Sequence, residues 1–161
     1  MTGGLLAALE ASPVAVFMRE DLTAFPLAES LHVVGLTFMV GSIAVIDLRL
    51  LGVSARNHAL TRLAGEILPW TWGAFTLAAI TGLLMFASAA TQYAANLPFL
   101  LKMGLLGAAG LNMLVFHRLT WRSVALWDVA TPTPAAARVA GGLSLLAWVG
   151  VVVCGRWIGF V

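Results

Sequence analysis

Four long apolar segments constrain the fold of this chain more than any other feature of its sequence. Each segment is about 20 residues or longer and apolar on every face, as expected of a helix that crosses a lipid bilayer. None of them alternates apolar and polar residues with a period of two, so β-strands are not expected. The predicted spans are residues 26–52, 67–90, 98–117 and 138–161.

The composition agrees with a membrane protein. Apolar residues make up 61% of the chain and charged residues 10%, against about a quarter charged in a soluble domain. The predicted fold class is therefore an all-α integral membrane protein, a four-helix transmembrane bundle over residues 26–161. Residues 1–25 are expected to form a short amphipathic segment on the outer surface. Within it, Ser12 followed by Pro13 is typical of a helix N-cap and first turn.

The positive charges predict an orientation in the membrane. Positive residues concentrate in cytoplasmic loops, and six of the nine lie after span one or between spans three and four. These six are Arg49, Arg56, Arg62, Arg118, Arg122 and Arg138. Both termini and the loop at residues 91–97 are thus predicted to face outward. The net charge is only +2 with no basic patch interleaved with aromatic residues, so nucleic-acid binding is excluded.

Polar residues inside the spans fall at two depths. His32 and Asp47 are fifteen residues apart on span one, and Lys102 and His117 are fifteen apart on span three. Helical geometry places the members of each pair about 60° apart in azimuth and about 22 Å apart along the axis. Spans one and three run in the same direction. His32 and Lys102 are therefore expected at an outer level, and Asp47 and His117 at an inner level within reach of each other.

Each of these residues has a functional and a structural interpretation. Glu29 lies one turn above His32 and can accept a hydrogen bond from one ring nitrogen, which would fix the other nitrogen as a ligand. His32 can equally be a helix-end histidine bonded to a neighbour, Lys102 a side chain that snorkels to the headgroups, and His117 an interfacial residue. Arg156 is expected at the outer level, with His58 and Glu66 near the inner level. No catalytic residue can be assigned.

Two stretches carry a family resemblance. LHVVGLTFMVGSIAVIDLRLLG resembles the first span of HemJ-type protoporphyrinogen oxidases and of CopD-type copper-resistance membrane proteins, and FLLKMGLLGAAGLNMLVFHR is similar to their later span. The chain also resembles a bacterial four-span family of unassigned function. His32 matches the family histidine and Lys102 the family lysine. Leu100 stands where HemJ-type proteins carry a histidine two residues before that lysine.

The resemblance implies a multi-pass redox protein of the bacterial inner membrane that binds haem b between its helices. His32 and His117 would be metal ligands, with Glu29 and Lys102 also contributing to the cofactor site. A haem-dependent oxidoreductase activity, a membrane or periplasmic redox partner and a homo-oligomer are compatible with this. A copper-handling protein and a cofactor-free accessory subunit remain alternatives.

The two histidines cannot share one haem, because a bis-histidine haem needs both ligands at one depth. A haem at His32 would need Lys102, a methionine or no second protein ligand. A haem at the inner end could use His117 with His58, if the loop that carries His58 folds back.

Overall fold

The computed structural model describes residues 2–55, 57–129 and 132–160. Within these residues the chain is helical and contains no strand, which confirms the predicted fold class. The α-helices are α1 Thr2–Glu10, α2 Pro13–Glu20, α3 Ala24–Leu50, α4 Leu60–Ser88, α5 Ala90–Ala95, α6 Leu97–Val115 and α7 Ala135–Trp157. A π-helix, Phe116–Thr120, and a 3-10 helix, Trp121–Leu126, continue α6, and a short 3-10 turn, Ile158–Phe160, follows α7.

Four of these elements are long and apolar enough to cross a membrane: α3, α4, α6 with its continuation to Leu126, and α7. The second span begins at Leu60, earlier than predicted, and contains Pro69. A proline inside a transmembrane helix is tolerated because neighbouring groups can satisfy the carbonyl it leaves unbonded. Gly52, with φ of 72°, allows the chain to leave α3 in a left-handed conformation. Arg56 and the last residue of the fourth predicted span lie outside the described residues.

The helices pack in the order α4, α3, α7, α6. α3 packs against α4 on one side and against α7 on another, and α6 packs against α7. Glycines allow close contact in two of these helix pairs. Between α3 and α4, a Cβ added to Gly35 would lie 3.1 Å from the carbonyl oxygen of Ala74. Between α7 and α3, a Cβ added to Gly141 would lie 3.0 Å from the carbonyl oxygen of Asp47. Such small residues let membrane helices approach backbone to backbone.

We call the end of the bundle that carries α1, α2 and α5 the outer end, after the predicted orientation, and the opposite end the inner end. At the outer end, Glu10 Oε1 accepts hydrogen bonds from the amide and the hydroxyl of Thr91, at 2.8 and 2.6 Å. These bonds lower the pKa of Glu10 below its ordinary value. Arg19 donates to the carbonyl oxygens of Ser88 and Glu10. Ser12 caps α2 by accepting from Ala15, as predicted.

At the inner end, the buried guanidinium of Arg49 joins α3 to both connecting loops. It is 3% exposed and donates to His58 O at 3.0 Å, to Asp128 O at 2.7 Å and to Thr133 Oγ1 at 3.3 Å. Although burial opposes the shift, hydrogen bonds from Thr61 and the nearby Arg49 charge lower the pKa of the Asp128 carboxyl below its usual range. An apolar cluster beside this network consists of Leu50, Leu60, Phe116, Trp127 and Ala137.

Replacing Arg49 by methionine should destabilise the bundle strongly. The apolar stem is kept, but the carbonyls of His58 and Asp128 lose their donor, at about 1–3 kcal/mol for each acceptor left unpaired. Arg62→Met is the control, because Arg62 forms an exposed ion pair with Glu66 one turn away worth under about 0.5 kcal/mol. Equilibrium unfolding in mixed micelles measures both changes. Equal, small losses would mean that Arg49 does not hold the inner loops.

Candidate functional site

The imidazole of His32 is held by helix α4. His32 Nδ1 lies 2.8 Å from the carbonyl oxygen of Ala78 and 3.2 Å from Thr81 Oγ1. Because a carbonyl oxygen can only accept, Nδ1 carries the hydrogen, and Nε2 of the neutral ring has a lone pair. Nε2 makes no hydrogen bond to any of the residues that the structure describes. The ring is thus oriented in the way that leaves one nitrogen free to bind a ligand.

The expectation that Glu29 orients this ring is wrong. Glu29 is exposed, and its carboxylate makes no hydrogen bond within the described parts of the chain, although it is close enough to interact electrostatically with His32. The ring instead lies on α4 because that helix approaches closely here: a Cβ on Gly82 would be only 2.9 Å from His32 Cε1. Gly82 therefore provides the space for the imidazole, and the backbone of α4 takes the role assigned to Glu29.

Lys102 lies at the same level as His32, as predicted. Its side chain is half-buried on α6, and its charge interacts with His32. Its amine lies against α7 beside Gly155, where an added Cβ would be in ordinary van der Waals contact, 3.6 Å from Lys102 Nζ. No hydrogen bond or ion pair involves this amine among residues 2–55, 57–129 and 132–160. An imidazole nitrogen and an amine, neither with a bonded partner in the described chain, therefore lie at one level in the outer half of the bundle.

Three aromatic rings join α4, α5 and α6 above this level. Phe86 stacks on Phe99 with ring centroids 5.4 Å apart, and Tyr93 contacts both rings at 6.2 and 5.5 Å. Phe86 follows Gly82, and Phe99 precedes Lys102, by about one helical turn. The rings thus lie nearer the outer end than the polar pair. Burial, and then the charge of Glu29, raise the pKa of Tyr93.

Arg156 does not join the polar pair. Its guanidinium lies over the ring of Phe160, 4.8 Å from the ring centroid, and its side chain is exposed.

His117 belongs to a separate, inner region. It lies in the π-helix and is exposed, with Nδ1 2.9 Å from the carbonyl oxygen of Met113. Its ring stacks on Trp121 with centroids 5.6 Å apart. It lines a groove of about 440 Å³ against the first half of α4. π-helical turns are frequent at functional sites, but the ring is held here by its own helix.

The expected contact between Asp47 and His117 is not made. Asp47 faces the hydroxyl side chain of Ser144 on α7 and makes no hydrogen bond to His117. The reason is the packing order, since α3 and α6 each pack against α7. His58 is exposed and contributes its carbonyl oxygen to Arg49, while Glu66 pairs with Arg62.

The outer level offers few side chains that could act as ligands. The described residues bring together no group of three or more His, Cys, Asp or Glu side chains that could hold a metal ion. The outer level instead offers a single oriented imidazole with an amine nearby. Such a set can supply one axial ligand, and at most one further nitrogen, to a cofactor that brings its own remaining ligands.

The fold and this site define the class of the protein: a four-helix integral membrane protein with an oriented imidazole and an amine in the outer half of its bundle. A family model described as a family of unknown function, DUF6644, matches residues 22–161, and the chain belongs to that family. The match begins just before α3 and includes all four spans. No curated protein and no solved structure matches the chain.

Because Gly82 leaves space for His32, two glycine-to-alanine substitutions on α4 should affect the free energy of unfolding differently. Gly82→Ala should lower the free energy of unfolding by about 1–3 kcal/mol, because the new methyl group forces the imidazole off the Ala78 carbonyl. Gly73→Ala is the matched control: nothing lies within 4 Å of its Cβ position, so alanine should be neutral or stabilise α4 by up to about 1 kcal/mol. Equal effects in detergent unfolding experiments would contradict the packing of His32 on α4.

Proposed function

We propose that this protein is an integral membrane redox protein that binds haem b in the outer half of its bundle, with His32 Nε2 as an axial ligand. The observation that carries the proposal is the bond from Nδ1 to the carbonyl oxygen of Ala78, which leaves Nε2 unbonded within the described chain. Iron-binding histidines commonly donate their other ring N–H to a carbonyl or carboxylate, which fixes the ring and raises its basicity.

The donor set of the outer level fits haem better than it fits copper. Haem supplies four nitrogen ligands of its own and needs one or two axial groups from the protein. Protein copper sites combine several nitrogen and sulfur ligands, and the described residues assemble no group of three His, Cys, Asp or Glu side chains. When bound, haem would supply reversible one-electron chemistry. His32 would hold and orient it, and Lys102 would provide the second nitrogen or leave that position open.

The sequence resemblance supports the same proposal. His32 is the histidine of the LHVVG segment that is similar to the first span of HemJ-type and CopD-type proteins. A CopD-like copper function is the alternative from the same resemblance. A cofactor-free accessory subunit would leave both the imidazole nitrogen and the amine without a use. A redox partner in the membrane or the periplasm, and association of copies, follow as further parts of the proposal.

The absorption spectrum of the purified protein tests the cofactor. A Soret band that shifts on dithionite reduction is expected. His32→Ala should remove most of it, because the axial ligand is lost, while membrane insertion depends on the apolar span and should persist. His117→Ala is the matched control: a second histidine with Nδ1 on a carbonyl, but at the inner end.

Two results would contradict this assignment. Loss of the band in His117→Ala but not in His32→Ala would move the cofactor to the inner end. Copper without haem in metal analysis would select the CopD-like alternative.

We further propose that the protein lies in the bacterial inner membrane with both termini in the periplasm. The support is the charge distribution, since arginines are concentrated at the inner end. In a Cys154→Ala background, a cysteine at the exposed Asn57 or Ala136 should resist a membrane-impermeant thiol reagent in intact cells, while one at the exposed Gln92 should react. The reverse labelling pattern would invert the topology.

A further inference from the structure

One carboxyl group is buried inside the bundle without a full set of partners. Asp47 is 4% exposed and lies in α3, one turn before the inner end of that helix. Its Oδ2 atom has no hydrogen-bond partner among the described residues. The hydroxyl side chain of Ser144 on α7 lies beside the carboxyl group. Polar groups in this position are costly in a membrane helix and mark functional sites.

Among the described residues, no positively charged side chain is paired with this carboxyl group. On α3 itself, Arg49 is bonded to the inner loops. On α7, Arg138 and Arg156 are exposed. On α4, Arg62 pairs with Glu66 at the surface.

The other described elements that pack against α3 and α7 supply no counter-charge either. On the π-helix, which packs against α7, His117 bonds to Met113 O and Arg118 is exposed. On α2, Arg19 and Glu20 lie at the outer end, where Arg19 bonds to Ser88 O and Glu10 O. On α6, Lys102 is at the outer level, and the amide of Asn112 donates to Ala140 O at 2.9 Å.

Binding a small cation would therefore stabilise this site, and the few oxygen atoms present restrict which cation can bind. An unpaired carboxylate inside a membrane protein is expensive, and binding a proton removes the charge. Calcium takes six to eight oxygen ligands, and magnesium an octahedron of six, whereas one carboxyl and one hydroxyl group meet here. We propose that Asp47 is an intramembrane proton-binding site between α3 and α7, with the proton bound to its carboxyl group.

The packing around Asp47 indicates from which side the proton exchanges. A Cβ on Gly141 would lie 3.0 Å from both Asp47 O and Leu50 Cβ, so α3 and α7 are in close contact here. Asp47 is about 22 Å along the helix from His32 but only one turn from the end of α3. The proton therefore exchanges with the aqueous phase at the inner end. This site does not depend on the presence of a haem at the outer end.

Infrared spectroscopy of the protein in lipid nanodiscs tests the proposal. At neutral pH the wild-type protein should show the C=O stretching band of a protonated carboxylic acid, corresponding to one group per chain and shifting in D₂O. Asp47→Asn should lose this band. Asp128→Asn is the matched control and should keep it, because hydrogen bonds from Thr61 favour the ionised form of Asp128.

A second experiment assigns the infrared band to Asp47 without needing the Asp47→Asn variant to fold. The chain has three aspartates, Asp21, Asp47 and Asp128. In the Asp21→Asn, Asp128→Asn double variant labelled with ¹³C-aspartate, the band should show the carbon isotope shift, since Asp47 is then the labelled acid. Absence of the band at neutral pH, or no isotope shift, would overturn the proposal. Loss of the band on addition of Na⁺ at constant pH would also overturn it, in favour of a metal-cation site.

Discussion

The absence of water from the bilayer core is the constraint on which this structure depends. Every polar group that enters the core must find a partner within the protein or remain unpaired at a high cost. The helices satisfy their own backbones, and most side-chain hydroxyls in the spans bond to a carbonyl of the preceding turn, as Thr37, Thr76 and Thr81 do. Exceptions within the described chain include the Nε2 atom of His32, the amine of Lys102 and the Oδ2 atom of Asp47, which have no hydrogen-bond partner there.

Different interactions hold the two ends of the bundle. At the inner end, Arg49 and the apolar cluster around Trp127 fix both connecting loops. At the outer level, Gly82 leaves room for the imidazole of His32, and the amine of Lys102 lies beside Gly155. The DUF6644 match includes His32, Arg49 and Lys102 but not α1 or α2.

Sequence patterns predicted the spans, the Ser12–Pro13 helix start and the common level of His32 and Lys102, because these follow from hydropathy and helical rise. They failed where a neighbouring helix decides the contact. The rotation of about 100° per residue predicts which residues lie on the same face of a helix. It does not predict which neighbouring helix that face packs against. The partners of His32 and Asp47 were therefore assigned wrongly. Arg49 was predicted only as one of the cytoplasmic charges that set the orientation, because its sequence neighbours do not reveal that two distant loops cover it.

The central claim is that α4 fixes the His32 ring with its Nε2 lone pair free. Nitrogen NMR of the cofactor-free protein, labelled with ¹⁵N-histidine, measures this directly. With His58→Gln and His117→Gln in place, His32 is the sole histidine of the chain. The structure predicts a proton on Nδ1, in a hydrogen bond to a carbonyl, and an unprotonated Nε2. A neutral ring with its proton on Nε2 would contradict the account.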